Sequence, residues 1–259
     1  CLRIDLATGK KLGEFKTPST VAGKPGKWGY LAAVGGNIYG TIADSGHIVK
    51  WRYLKGEMKD LLTESKTFFA LDGKSGKLLW RYDAEHSIRH NAIAIGGGKV
   101  YLIDRKAAAI DTIKYRRAKG EKEIPHPGGA ILALDATTGK VDWKKDKDIF
   151  GTMLALSAEK NILLMGYQPT RFRLPSEVGG RMAVFHTTDG YRVWDRKVDY
   201  ASRPMLNDKT IYAEGGAWDL KTGVDREFKF KRSYGCGILA GGNNLMLFRS
   251  ATMGYFDLT

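Results

Sequence analysis

A phrase of the form Ala-x-Asp-x-x-x-Gly-Lys-x-x-Trp stands twice in this chain, and an internal repeat constrains a fold more than any single residue can. The full copies are Ala70-Leu71-Asp72-Gly73-Lys74-Ser75-Gly76-Lys77-Leu78-Leu79-Trp80 and Ala133-Leu134-Asp135-Ala136-Thr137-Thr138-Gly139-Lys140-Val141-Asp142-Trp143. Weaker copies start at Ile4-Asp5, at Phe185-His186 (ending in Trp194) and at Trp218-Asp219, and a sixth runs from Tyr255 to Thr259. Each reads as a β-hairpin. An alternating apolar strand enters a turn in which Asp can accept from backbone amides and Gly can take positive φ. The returning strand carries a Trp large enough to anchor on a neighbouring repeat. The clasp residues are therefore Asp72, Gly76 and Trp80, Asp135, Gly139 and Trp143, and Trp194. His186 stands where the other copies have Asp and is read as a turn variant.

A second phrase precedes each hairpin: Gly35-Gly36-Asn37-Ile38-Tyr39, Gly97-Gly98-Lys99-Val100-Tyr101, Lys160-Asn161-Ile162-Leu163, Asp208-Lys209-Thr210-Ile211 and Asn243-Asn244-Leu245-Met246 all read as turn then strand. A further short apolar run lies upstream of most of them. Four short strands joined by tight turns make one blade of a β-propeller, so the fold class is all-β. Asp5, Asp72, Asp135, His186, Asp219 and Asp257 stand 67, 63, 51, 33 and 38 residues apart. The last two intervals suit bare blades of roughly 40 residues. The longer ones place inserts at about 44–67, 105–129 and 168–180, in connections where extra length costs little. The chain starts beside one hairpin phrase and stops inside another. A single domain over 1–259 is expected, forming about five blades of a seven- or eight-bladed parent.

The formal net charge is +14. Much of it gathers in two inserts, at Lys50, Arg52, Lys55 and Lys59 and at Arg105, Lys106, Lys114, Arg116, Arg117, Lys119 and Lys122. No helix-turn-helix, RNA-recognition or zinc-finger pattern accompanies these charges, so they read as a solvated basic surface and not as a nucleic-acid site. They also suit a protein that meets anionic glycan or lipid at a cell envelope. No apolar run approaches the roughly 18 residues of a membrane span. Cys1 and Cys236 fall several blades apart, and a bond between them is not expected.

In a propeller the residues entering each innermost strand ring one mouth of the channel. Here these are Trp28-Gly29-Tyr30, Arg89-His90-Asn91, Gly151-Thr152-Met153, Ser202-Arg203-Pro204 and Tyr234-Gly235-Cys236. Guanidinium forks suit carboxylate or phosphate, and aromatic faces suit a planar ligand. Trp28, Arg89, His90, Asn91, Arg203 and Tyr234 are thus candidates for binding an anionic or planar molecule, with Arg89 and Arg203 as clamps and Trp28 or Tyr234 as platform. The plainer reading is that these residues plug the channel and bond to one another. His86 and His90 stand four apart, but in loop and strand, so no metal site is assigned. The apolar spacing of Ala108, Ile110 and Ile113 suggests a short helix at 107–119. No Ser-His-Asp order, phosphate loop or paired carboxylates stand out, and no catalytic residue is assigned.

The hairpin phrase resembles the tryptophan-docking repeat of the pyrroloquinoline-quinone (PQQ) propeller superfamily, which includes quinoprotein alcohol dehydrogenases and the outer-membrane assembly lipoprotein BamB. The wording around Ser87-Ile88-Arg89-His90-Asn91 is most similar to large bacterial PQQ-like repeat proteins of unassigned role. The resemblance implies a non-catalytic platform in the bacterial envelope, periplasmic or at the cell surface, with protein or anionic-glycan partners and no cofactor. It also implies an alternative, a quinoprotein-type oxidoreductase. Such enzymes cap PQQ with a disulfide between adjacent cysteines and use an Asp base beside a calcium held by Glu, Asn and Asp. This chain has no Cys-Cys pair, and its sequence alone places no acid on a channel-facing strand.

Overall fold

The computed structural model describes residues 1–20, 22–43, 63–111, 127–169, 174, 176–232, 238–249 and 253–259. Twenty strands, all paired antiparallel, account for almost all of its regular structure. The hairpin β1 (Leu2–Ile4) and β2 (Lys11–Glu14) comes first. A continuous ladder follows: β3 (Trp28–Val34), β4 (Asn37–Ala43), β5 (Glu64–Asp72), β6 (Leu78–Gly96), β7 (Lys99–Arg105), β8 (Gly129–Asp135) and β9 (Val141–Lys145). Two four-stranded sheets come next, β10 (Met153–Ser157), β11 (Ile162–Gly166), β12 (Met182–His186) and β13 (Arg192–Arg196), then β14 (Met205–Asn207), β15 (Thr210–Ala213), β16 (Gly216–Asp219) and β17 (Asp225–Arg226). The strands β18 (Leu239–Gly241), β19 (Leu245–Arg249) and β20 (Met253–Asp257) close the order.

The seven-stranded ladder is two blades sharing one strand. Residues 78–89 of β6 pair with β5, and residues 88–96 pair with β7. At the crossover the backbone N–H groups of Glu85, His86 and Ser87 turn away from both ladders. The Asp104 carboxylate accepts all three, at 2.7, 2.9 and 3.1 Å, which satisfies donors that would otherwise be orphaned in the interior. The middle strands are buried on both faces: Ile131 to Leu134 and Ile162 to Met165 are all at most 2% exposed. Sheets stacked face to face explain why these strands are nearly unbroken apolar runs, where a half-solvated strand would alternate.

The repeated phrase forms the hairpin read from the sequence. Asp135 Oδ1 accepts from Thr137 N, Thr138 N and Thr138 Oγ1 at 3.0, 2.7 and 2.8 Å, and Asp72 does the same with Lys74 and Ser75. These bonds stabilise the ionised forms and hold both carboxyls below the usual range. At His186 the backbone turn persists without the carboxylate, closed by Gly190 N to His186 O at 3.0 Å.

Each Trp reaches the next repeat. The Trp80, Trp143 and Trp194 indole N–H groups donate to Ala136 O, Thr187 O and Leu220 O at 2.9, 3.0 and 3.0 Å. The acceptor is each time the residue after the anchor position of the following turn. The same turn's glycine lies flat under the ring. A Cβ on Gly139 would stand 2.5 Å from Trp80, and Gly139 has φ of 72°. Gly9 shares the positive φ but has open space around it. Gly9→Ala should therefore cost about 1–2 kcal/mol for backbone strain alone. Gly139→Ala should cost about 1–3 kcal/mol more for displacing the indole. Urea denaturation of the two variants checks the difference.

The two turns of each repeat touch, as in Gly73 N to Gly36 O, Ala136 N to Gly98 O and Thr187 N to Asn161 O. All such turns thus share one end of the sheets. The long connections β4–β5, β7–β8 and β11–β12 emerge at the opposite end, together with the entries to the inner strands. Two expectations need correction there. Glu64 to Thr67 belong to β5, so the first insert ends before residue 64. Of the helix expected at 107–119, Ala109–Asp111 form a single 3-10 turn, and 112–119 lie outside the described residues.

Candidate functional site

At that end Arg89, in the crossover of β6, is 2% exposed and uses every N–H of its guanidinium. Nε and Nη2 donate to Glu64 Oε1 at 3.0 and 2.9 Å. Nη2 also reaches Asp111 Oδ2 at 2.5 Å. Nη1 donates to Ser176 Oγ at 2.9 Å and Glu177 Oε1 at 2.7 Å. Glu64 faces Arg89 because the two are ladder partners. Asp111 comes from the 3-10 turn after β7, and Glu177 from the connection between β11 and β12. The acids are held in turn: Ser176 N and Oγ donate to Asp111, Thr152 Oγ1 and Gln168 N to Glu177, and Ser87 Oγ to Glu64. Burial works against the Arg89 charge, but Glu177, Glu64 and Asp111 together overcome it and raise its pKa. Arg89 is therefore an internal tie among three segments, and no donor of it is left for a ligand in this arrangement.

Two further guanidiniums lie in the same field. Arg105, the last residue of β7, is 1% exposed, and its Nε, Nη1 and Nη2 have no hydrogen-bond partner among the described residues. This overturns the placement of Arg105 among solvated insert charges. Burial lowers its pKa and so does Arg89, while Glu64, Glu177 and Asp111 oppose them. Arg203, just before β14, is half-buried. Desolvation lowers its pKa against the pull of Glu177 and Tyr30.

The other candidates are engaged elsewhere, although His90 still feels the charges of Glu64 and Arg89. His90 bonds Ser65 Oγ at 2.8 Å and lies 3.4 Å from Thr41 Oγ1. Trp28 packs on Phe69, with ring centroids 5.3 Å apart, and covers Gly40, so its face is engaged by the core. Asn91 is half-buried, and Tyr234 and Cys236 lie outside the described residues. Cys1 carries a free thiol. His86 Nε2 lies 3.7 Å from Glu85 Oε1, and no group of three or more His, Cys, Asp or Glu suited to a metal ion occurs among the described residues.

Burial pushes His90 down from 6.5 to about 4, so the folded protein favours the neutral ring. Its stabilising contribution is present above pH 6.5 and fades as the pH falls toward 4. Denaturation midpoints between about pH 7 and pH 5 should fall, and His90→Gln should flatten that slope. An unchanged slope in the variant would rule out His90 as its source.

The model of the family described as outer membrane protein assembly factor BamB matches residues 2–243. The chain belongs to this family. Among solved structures, BamB from Moraxella catarrhalis is 18% identical, with a TM-score of 0.47, and the match covers 88% of this chain and 72% of that one. The quinohemoprotein alcohol dehydrogenase ADHIIG from Pseudomonas putida HK5 is 17% identical, with a TM-score of 0.44, covering 75% of this chain and 33% of the enzyme. The corresponding enzyme from Comamonas testosteroni is 15% identical, with a TM-score of 0.47, covering 84% and 39%. No curated protein matches the sequence. Within this BamB family chain, no helix among the described residues is long and apolar enough to cross a membrane.

Proposed function

We propose that this BamB family chain is a non-catalytic binding or assembly platform of the bacterial envelope, placed in the periplasm and acting on outer-membrane proteins. The observation that supports this most is the closed charge cluster at Arg89, where Glu64, Asp111 and Glu177 already surround a guanidinium. Catalytic carboxylates need free lone pairs facing substrate or metal, and these oxygens are bonded within the protein. The family description supplies the class of partner, and the excess of positive charge favours acidic protein surfaces or anionic glycans.

The test has two parts. Titration with PQQ and calcium, followed by absorbance and by dye reduction with simple alcohols and sugars, should give neither a spectral change nor turnover. Depleting the protein in its native host should lower the level of folded outer-membrane proteins. Tight PQQ binding with dye reduction would replace this reading by the quinoprotein oxidoreductase one.

A further inference from the structure

Strand β17 stops early, and its ending opens a cleft. It pairs with β16 only at Ala217↔Arg226 and Trp218↔Asp225, whereas β9 and β13 each run for five residues. Past Arg226 the backbone folds on itself, with Phe228 N donating to Arg226 O at 2.7 Å. The Phe228 ring turns into the core, 5.1 and 5.0 Å from Tyr212 and Phe256 between centroids. Pairing resumes where Gly215 N donates to Phe230 O at 3.1 Å, so residues 227–229 stand off β16. Between them and the segment that leaves β13 at Arg196 lies a cleft of about 360 Å³, floored by the buried residues Gly216, Ala217 and Trp218.

Six charged side chains among the described residues line this cleft: Arg196, Lys197, Asp199, Asp225, Arg226 and Lys229. Arg226 is held by Asp219 at 2.7 Å. Arg196 donates to Gly223 O, with Asp225 Oδ2 4.0 Å from it. Lys197, Lys229 and Asp199 make no ion pair or side-chain hydrogen bond among the described residues. With Asp219 counted, the cleft carries one positive charge in excess, and the flanking Glu227 and Lys231 cancel each other. The junction one sheet earlier is built differently. There Arg181 and Arg192 pair with Asp148 and Asp195, and the four charges satisfy one another. At β17 two ammoniums and a carboxylate remain for something else.

We propose that this cleft binds a hexuronate, the acidic sugar residue of an anionic glycan. Its single negative charge matches the single excess positive charge, which a phosphate dianion would overshoot. Lys197 and Lys229 donate to the sugar carboxylate, while Asp199 and Asp225 accept from its hydroxyls, a task that a purely cationic patch cannot perform. The volume falls in the range of small-ligand sites. The proposal deepens the platform reading by naming where an anionic glycan is held, and it rests on that reading for the biological source of the sugar alone.

Glucuronate is the probe, titrated calorimetrically into the wild-type protein beside glucose and inorganic phosphate. It should bind with a Kd of about 1 mM, the strength expected of so small a ligand, and glucose about tenfold more weakly or worse. The double variant Lys197→Met, Lys229→Met changes only exposed side chains, so it should stay folded and lose about tenfold in glucuronate affinity. Asp199→Asn should weaken glucuronate and strengthen phosphate, because it removes an acceptor and a repelling charge together. No glucuronate binding by the wild type, phosphate binding as tight as glucuronate, affinity that survives the double lysine variant, or tighter glucuronate binding by Asp199→Asn would each overturn the proposal. A failed titration leaves the platform reading intact, and a successful one would stand even if PQQ turnover removed that reading.

Discussion

Arg89→Met should lose about 3–5 kcal/mol of folding stability, because removing one partner of a buried ionic cluster leaves the others as uncompensated charge. Glu64, Asp111 and Glu177 are each at most 3% exposed, so water cannot replace the guanidinium without opening the connections that carry them. Arg89→Lys should recover little of the loss, since one ammonium cannot reproduce five directed N–H bonds. Chemical denaturation monitored by tryptophan fluorescence gives the number. A loss below about 1 kcal/mol would mean that the acids find another cation, and Arg105 stands within their field to become it. That outcome would show a cluster that re-pairs, where the bonds described here imply one fixed by Arg89.

Trp80→Ala should be of similar size, about 3–5 kcal/mol. Trp80 is 7% exposed, stacks on Phe68 at 5.7 Å and meets the tilted ring of Tyr39 at 6.1 Å between centroids, and its N–H donates to Ala136 O in the next blade. Truncation leaves a cavity between two sheets, with the Tyr39 hydroxyl as the remaining donor to Ala136 O. Trp143 and Trp194 make the same bond while only half-buried, so their truncations should cost less. Equal losses at all three would show that the hydrogen bond matters more than the buried ring. Trp80→Phe separates the two terms, since it keeps most of the apolar area and loses the donor.

The hairpins were legible in the sequence because their physics is local. Asp135 caps amides two and three residues on, and Gly139 needs positive φ within the same turn, so the composition of five residues announces the shape. The Trp contacts were legible one step further out, because the repeat supplies the same receiving turn each time. The charged centre is tertiary, and it was legible only in part. Arg89 was singled out by its place at a strand entry, but Glu64, Asp111 and Glu177 come from three segments whose convergence no spacing announces. In the sequence Arg105 runs straight into Lys106 and reads as surface charge. The available signal was that Val100, Tyr101, Leu102 and Ile103 are apolar on both faces up to the residue before Asp104 and Arg105. A strand buried on both sides carries its last two residues inside with it, whatever their charge. The basic residues at 112–122 lie outside the described residues, and nothing in the fold bears on them.

Strand β6 gives the first two blades a property that the later ones lack. From Leu78 to Gly96 one uninterrupted stretch of backbone serves as the outermost rung of one sheet and the innermost rung of the next, whereas β9 and β10, or β13 and β14, are separate strands joined by loops. Pulling on either of the first two sheets therefore tugs the other directly through covalent bonds. Under tension they would yield as one mechanical element of about twice the size, while the later blades could peel away one at a time.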